Sequence, residues 1–121
     1  MSKLFAFIAG PYRAETKEGV ELNIQSAKKT AELAILKGYF PLCPHLSTDR
    51  MDRIIPKLND DYWLEMTMEM MKRCDLVILS QGYSYSDGTL AEIEEAKRLK
   101  KPIFAIDKAP DSNKLLEQLN K

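Results

Sequence analysis

Six consecutive apolar residues, Leu4-Phe5-Ala6-Phe7-Ile8-Ala9, stop abruptly at Gly10-Pro11. An apolar run without polar alternation is the pattern of a strand buried on both faces, which belongs to a parallel sheet covered by helices. A parallel strand has to be followed by a crossover, and the next segment supplies one. Across Val20–Lys37, the residues Val20, Ile24, Ala27, Ala31, Ala34 and Ile35 form one stripe at helical spacing, closed by Gly38. The alternation then repeats. Tyr39–Cys43 reads as a second strand ended by Pro44, and residues 44–58 as a loop. A helix runs from Asp60/Asp61 to about Arg73, followed by a third strand over Asp75–Ser80. Gln81–Asp87 is a loop opening a helix over Gly88–Lys100, Pro102–Ile106 a fourth strand, and Ser112–Leu119 a last helix. This order predicts an α/β fold: a small doubly wound parallel sheet, Rossmann-like, of four to five strands with helices on both faces. A chain of 121 residues holds one core of this kind, so residues 1–121 are expected to form a single domain.

Composition narrows the function classes. Lys and Arg together number 18 and Asp and Glu also 18, a formal net charge of zero that argues against a protein gripping a nucleic-acid polymer. A small anionic ligand needs only one or two local cations and stays open. The apolar stretch near the N-terminus is far shorter than a membrane span and no cleavage pattern follows it, so neither a membrane nor a secretory route is expected. Cys43 and Cys74 have neither CxxC nor zinc-ligand spacing, which predicts two thiols in a reducing cytoplasm. No metal or cofactor is expected: GxGxxG and GxxxxGK[ST] are both missing from the sequence, and the single His lacks a second ligand.

In doubly wound sheets, ligands bind beyond the carboxyl ends of the strands where strand order reverses. That rule selects the loops 10–19, 44–57 and 81–88. The first opens Gly10-Pro11-Tyr12-Arg13. Gly10 lets a ligand approach the backbone, Tyr12 can stack or donate a hydrogen bond, and Arg13 can pair with an anion. The same residues also read as a plain turn with an aromatic lid. His45, after Pro44 at the end of the second strand, is placed either to touch a ligand or to serve as a hydrogen-bonded structural group. The third loop contains Ser84, Ser86, Asp87 and Gly88, with Ser86 or Asp87 as N-cap and the following backbone N–H groups facing the site.

Glu92 falls in the early turns of the helix that follows. Its position is aligned with Thr89, Ala96 and Leu99 and away from Glu94 and Glu95, so it borders the apolar stripe of Leu90, Ile93 and Ala96–Leu99. A carboxylate there is partly desolvated, as a nucleophile requires, although a Glu near a helix start also serves simply to favour the dipole. The helix over 61–73 carries Trp63, Leu64, Met66, Met68, Met70 and Met71 around most of its circumference, with Glu69 and Arg73 able to pair at i,i+4. One sheet face cannot cover so much apolar surface. Either a homo-oligomer contact or a thick core under the 44–58 loop would use the rest.

In order and spacing, these features resemble the nucleoside 2-deoxyribosyltransferase-like superfamily. The resemblance rests on Phe7-Ile8-Ala9-Gly10-Pro11-Tyr12, Asn23-Ile24 with Ala27 and Ala31, Gly38-Tyr39 with Pro41 and Pro44-His45, Cys74-Asp75-Leu76-Val77-Ile78, and Ser86-x-Gly88-x-x-x-Glu92-Ile93-x-x-Ala96. It implies an enzyme acting on a nucleoside or nucleotide. Glu92 would attack C1′ of the sugar and form a covalent glycosyl intermediate, with Tyr12 beside it. Ser86, with the Gly88 N–H, would hold a 5′-phosphate, which points to a nucleoside 5′-monophosphate N-glycosidase. Gly10, Pro11, Arg13, His45, Ser84 and Asp87 complete the expected binding set. A deoxyribosyltransferase acting on free nucleosides is the alternative, and a nucleotide-sensing module without catalysis or an adaptor domain are others. One departure stands out. The resemblance implies an Asp at position 67, where this chain has Thr67, leaving Asp61, Glu65 or a partner subunit to assist the leaving base.

Overall fold

The computed structural model describes residues 3–47, 60–80 and 86–120. In them the chain forms β1 (Phe5–Ala9), α1 (Lys17–Leu36), β2 (Phe40–Leu42), α2 (Pro44–Ser47), α3 (Asp60–Lys72), β3 (Leu76–Leu79), α4 (Asp87–Arg98), β4 (Ile103–Ala105) and α5 (Ser112–Leu119). The strands make a four-stranded, all-parallel sheet in the order β2-β1-β3-β4. This is the expected α/β architecture.

Strand residues alternate between the two faces, and both faces are covered. Ala6, Ile8, Leu76 and Ile78 pack against Ala27, Ala31 and Ala34 of α1 and Leu115 of α5. Phe7, Ala9, Val77 and Leu79 pack against Met71 of α3 and Ile93 and Ala96 of α4. The small residues on α1 let that helix lie close to the strands. From β1 the chain runs outward to β2 through α1 on one face. From β3 it runs the opposite way to β4 through α4 on the other face. Reversing both direction and face keeps the hand of the crossovers constant, which is why the sheet is doubly wound. Strand order therefore reverses between β1 and β3, whose last paired residues are Ala9 and Leu79.

Helix α1 starts three residues before the expected Val20, because Thr16 accepts a hydrogen bond from Gly19 N at 3.0 Å and caps it. It stops where expected: Gly38 adopts a φ of +88°, which an L side chain would resist. Residues 44–47, read as loop, form a single helical turn begun by Pro44, whose fixed φ suits a first helical position. Three residues assigned to buried stripes, Ile35, Leu90 and Leu99, are exposed instead. Asp75, just before β3, ties down the start of β1, accepting from Phe5 N at 2.8 Å. No helix among the described residues is long and apolar enough to cross a membrane.

Candidate active site

At the β1/β3 switch point, Gly10 and Ser80 leave the sheet side by side. A Cβ on Gly10 would lie 1.7 Å from Ser80 Oγ. The glycine is thus required by a protein neighbour, whereas the sequence suggests close approach of a ligand. From this point the backbone diverges around a cavity of about 520 Å³. That volume is in the range of small-molecule sites, roughly 300–1,000 Å³.

Among the described residues five segments line it, and Phe7 and Ile8 of β1 are the first. The β1–α1 loop contributes Gly10, Tyr12 and Arg13, and the start of α2 contributes Pro44 and His45. Helix α3 contributes Asp61, Trp63, Leu64, Met66 and Thr67, and the first turns of α4 contribute Ser86, Asp87, Gly88, Thr89 and Glu92. Of the residues expected from sequence, Gly10, Tyr12, Arg13, His45, Ser86, Asp87, Gly88 and Glu92 meet in this cavity. Pro11 is not in its lining, and its carbonyl accepts a hydrogen bond from His45 Nε2 at 2.9 Å. Ser84 lies outside the described residues.

Glu92 is only 7% exposed. Burial raises its pKa from 4.5 to about 7, and a side-chain hydrogen bond with Thr67 opposes the rise. The single hydroxyl proton of Thr67 is donated to Leu64 O at 3.1 Å. Toward Glu92, the Thr67 oxygen can therefore accept from the protonated acid, or its proton can swing over to the carboxylate. This is a poised group: dry, polar, and close to half ionised at neutral pH.

His45, 5% exposed, is held neutral. Burial lowers its pKa, outweighing the Pro11 and Gly10 carbonyls. Its Nε2 carries the proton given to Pro11, so Nδ1 presents a lone pair, and no described residue meets it. The indole Nε1–H of Trp63 is likewise buried and unmet. Buried polar atoms without partners are rare and concentrate where function demands them. The Tyr12 ring tilts against His45, centroids 5.8 Å apart.

Ser86 is the N-cap of α4, its Oγ accepting from Thr89 N at 3.2 Å. Its hydroxyl proton remains to be donated into the cavity, next to Gly88 at the positive end of the helix. Among the carboxyl groups weighed as substitutes at the Thr67 position, Asp61 lines the cavity and Glu65 does not. Glu69 turns outward and pairs with Arg73 at 3.0 Å, as its spacing suggests. Cys43 and Cys74 are buried thiols outside any disulfide, both pushed up to about 11 by desolvation. Among the described residues, no cluster of His, Cys, Asp and Glu is arranged to hold a metal ion.

Periodicity alone reads α3 as core or interface; the family resemblance brings positions 61 and 67 to the site, while the wall made by Trp63, Leu64 and Met66 was missed. The available signal was Trp63 and Thr67 at i,i+4, one face of one helix.

A family model matches residues 4–106, most of the chain. The protein belongs to that family, described as Domain of unknown function (DUF7768). No curated protein matches the chain in sequence. The DUF7768 match runs from β1 through β4 and takes in every residue lining the cavity, while α5 lies beyond it.

Proposed function

We propose that this protein is an N-glycosidase that hydrolyses the base–sugar bond of a (deoxy)nucleoside 5′-monophosphate. The observation that carries the reading is Glu92: a buried carboxyl in a cavity at the switch point, its pKa raised by desolvation. Its carboxylate oxygen bonds to C1′ while the C1′–N bond breaks, and the base leaves with the electron pair and takes up a proton. Asp61, on α3, is the carboxyl group assigned to supply that proton. Water then attacks C1′ as the bond from C1′ to Glu92 breaks, and its proton passes to Asp61, which frees the sugar phosphate and restores both carboxyl groups, with overall retention. Tyr12 flanks the sugar, and Arg13, Ser86 and the Gly88 N–H take the phosphate. The apolar side chains of Trp63, Leu64 and Met66 receive the base. A homo-oligomeric contact through α3 belongs to the same proposal, made by a surface that includes the exposed Tyr62.

The test is release of free base from a panel of nucleoside 5′-monophosphates by wild type and Glu92→Ala. Release by wild type alone is expected; no release, or equal release by both, rejects the reading. Thr67 in the place of an acid favours a second reading, a nucleotide-binding module without turnover. In that case a monophosphate would raise the melting temperature while no base appeared.

A further inference from the structure

Three consecutive carbonyls in the β1–α1 loop are each met by a side-chain donor from elsewhere in the fold. Pro11 O accepts from His45 Nε2 at 2.9 Å, while Tyr12 O and Arg13 O accept from Asn23 Nδ2 at 3.1 and 3.3 Å. Further along, the loop is tied again. Thr16 caps α1, and a Cβ on Gly19 would lie 2.6 Å from the Ala14 Cβ, so Ala14 rests directly on the first turn of the helix. Asn23 is not part of the cavity lining. It occupies a helix-interior position, where Asn is a poor choice because its amide competes for backbone partners. Here both amide hydrogens are spent on the two residues whose side chains line the cavity.

We infer that Asn23 is a positioning residue. Together with His45 it fixes the loop so that Tyr12 and Arg13 are set before a ligand arrives, and the loop does not fold over the ligand as a flap. Holding groups in place beforehand spares the cost of ordering them on binding, and small misplacements of such groups are expensive. The inference rests on the cavity being the nucleotide site proposed above. It adds that the wall made by Tyr12 and Arg13 is rigid, and it names what makes it so.

Two measurements decide it, made on Asn23→Asp, which keeps the shape but loses the donors, and on Asn23→Ala. Amide hydrogen exchange at Tyr12–Thr16 is expected to speed up in both variants, with the sheet unchanged. Affinity for a nucleoside 5′-monophosphate is expected to fall about tenfold in the wild-type background, and less than about twofold once Arg13→Ala has removed a group being positioned. Unchanged exchange at Tyr12–Thr16 overturns the inference whatever the enzyme does. Faster exchange with an equal loss of affinity in both backgrounds makes Asn23 merely structural and overturns it too. Should wild type neither release base nor bind any monophosphate, the glycosidase reading fails, and the loop exchange still decides the clamp.

Discussion

Replacing Glu92 by Gln removes a charge from a place where water cannot reach it, and the consequence should be visible in stability as a function of pH. The folded protein holds the Glu92 proton up to about pH 7, whereas the unfolded chain releases it near 4.5. Between those values the folded state binds more protons, so the stability contributed by the protonated group falls as pH rises, and the loss levels off above about 7. At about 1.36 kcal/mol per pH unit, the whole window amounts to about 3 kcal/mol. Gln cannot ionise and escapes this loss. The stability difference between Glu92→Gln and wild type should therefore grow by about 3 kcal/mol in favour of the variant between pH 4 and pH 8. In a domain of this size that corresponds to roughly 10 °C in melting temperature.

Urea unfolding followed by circular dichroism at half-unit pH steps would measure it. His45, with its pKa lowered by burial, contributes the opposite slope, stability gained as pH rises toward 6.5. It is present in both proteins and cancels in the difference. A difference curve that moves by less than about 1 kcal/mol between pH 5 and pH 8 would refute the premise that Glu92 is dry. The proposed chemistry shares this ionisation: base release should climb with pH through about 7, since only the carboxylate attacks C1′.

Ser86→Ala should cost about 1 kcal/mol through loss of the α4 cap, and should erase any preference for monophosphates over free nucleosides in base release. A preference that survives would exclude Ser86 from anion binding. Lys100, just past α4, sits at a φ of 59°, so Lys100→Gly should stabilise the fold by about 1 kcal/mol in urea unfolding. Gly10→Ala should destabilise by about 1–3 kcal/mol, and adding Ser80→Ala should return part of it. Strictly additive losses in that pair would contradict the contact drawn between them.

The layers of this fold were legible because β1 and β3 are buried on both faces, and that leaves an unbroken apolar run in the sequence. The ends of elements were less so. The cap on α1 is a threonine followed by Lys17 and Glu18, polar residues that the apolar stripe ignores. The stripe itself overran its helices. In the last turn of α1 both Ala34 and Ile35 fit the spacing, and the sheet accepts only the alanine. In α4 the buried face is Thr89, Glu92, Ile93 and Ala96, and Leu90 and Leu99 lie outside it. Periodicity reports which residues share a face, and not how far the neighbouring layer extends.

Residues of the site carried by strand ends could be named from the sequence because topology alone brings those ends together. The apolar part of the α3 wall, Trp63, Leu64 and Met66, could not, since its place depends on how α3 lies against α4; positions 61 and 67 came only from the family resemblance. Nor could the clamp at Asn23, which joins a helix to a loop through two hydrogen bonds with no sequence spacing to betray them. What the structure adds is a tally of discomfort. Around one cavity the protein keeps a desolvated carboxyl costing about 3 kcal/mol at high pH, and a lone pair on His45 Nδ1 and an indole N–H on Trp63 that have no partner among the described residues, where a buried group left unmet costs roughly 1–3 kcal/mol. Against a net stability of about 5–15 kcal/mol for a domain, that is a large share concentrated in one place. Apolar replacements at these positions would relieve it, and a chain shaped by stability alone would carry them. Their concentration in one cavity at the switch point is the physical argument that this cavity is where the protein works.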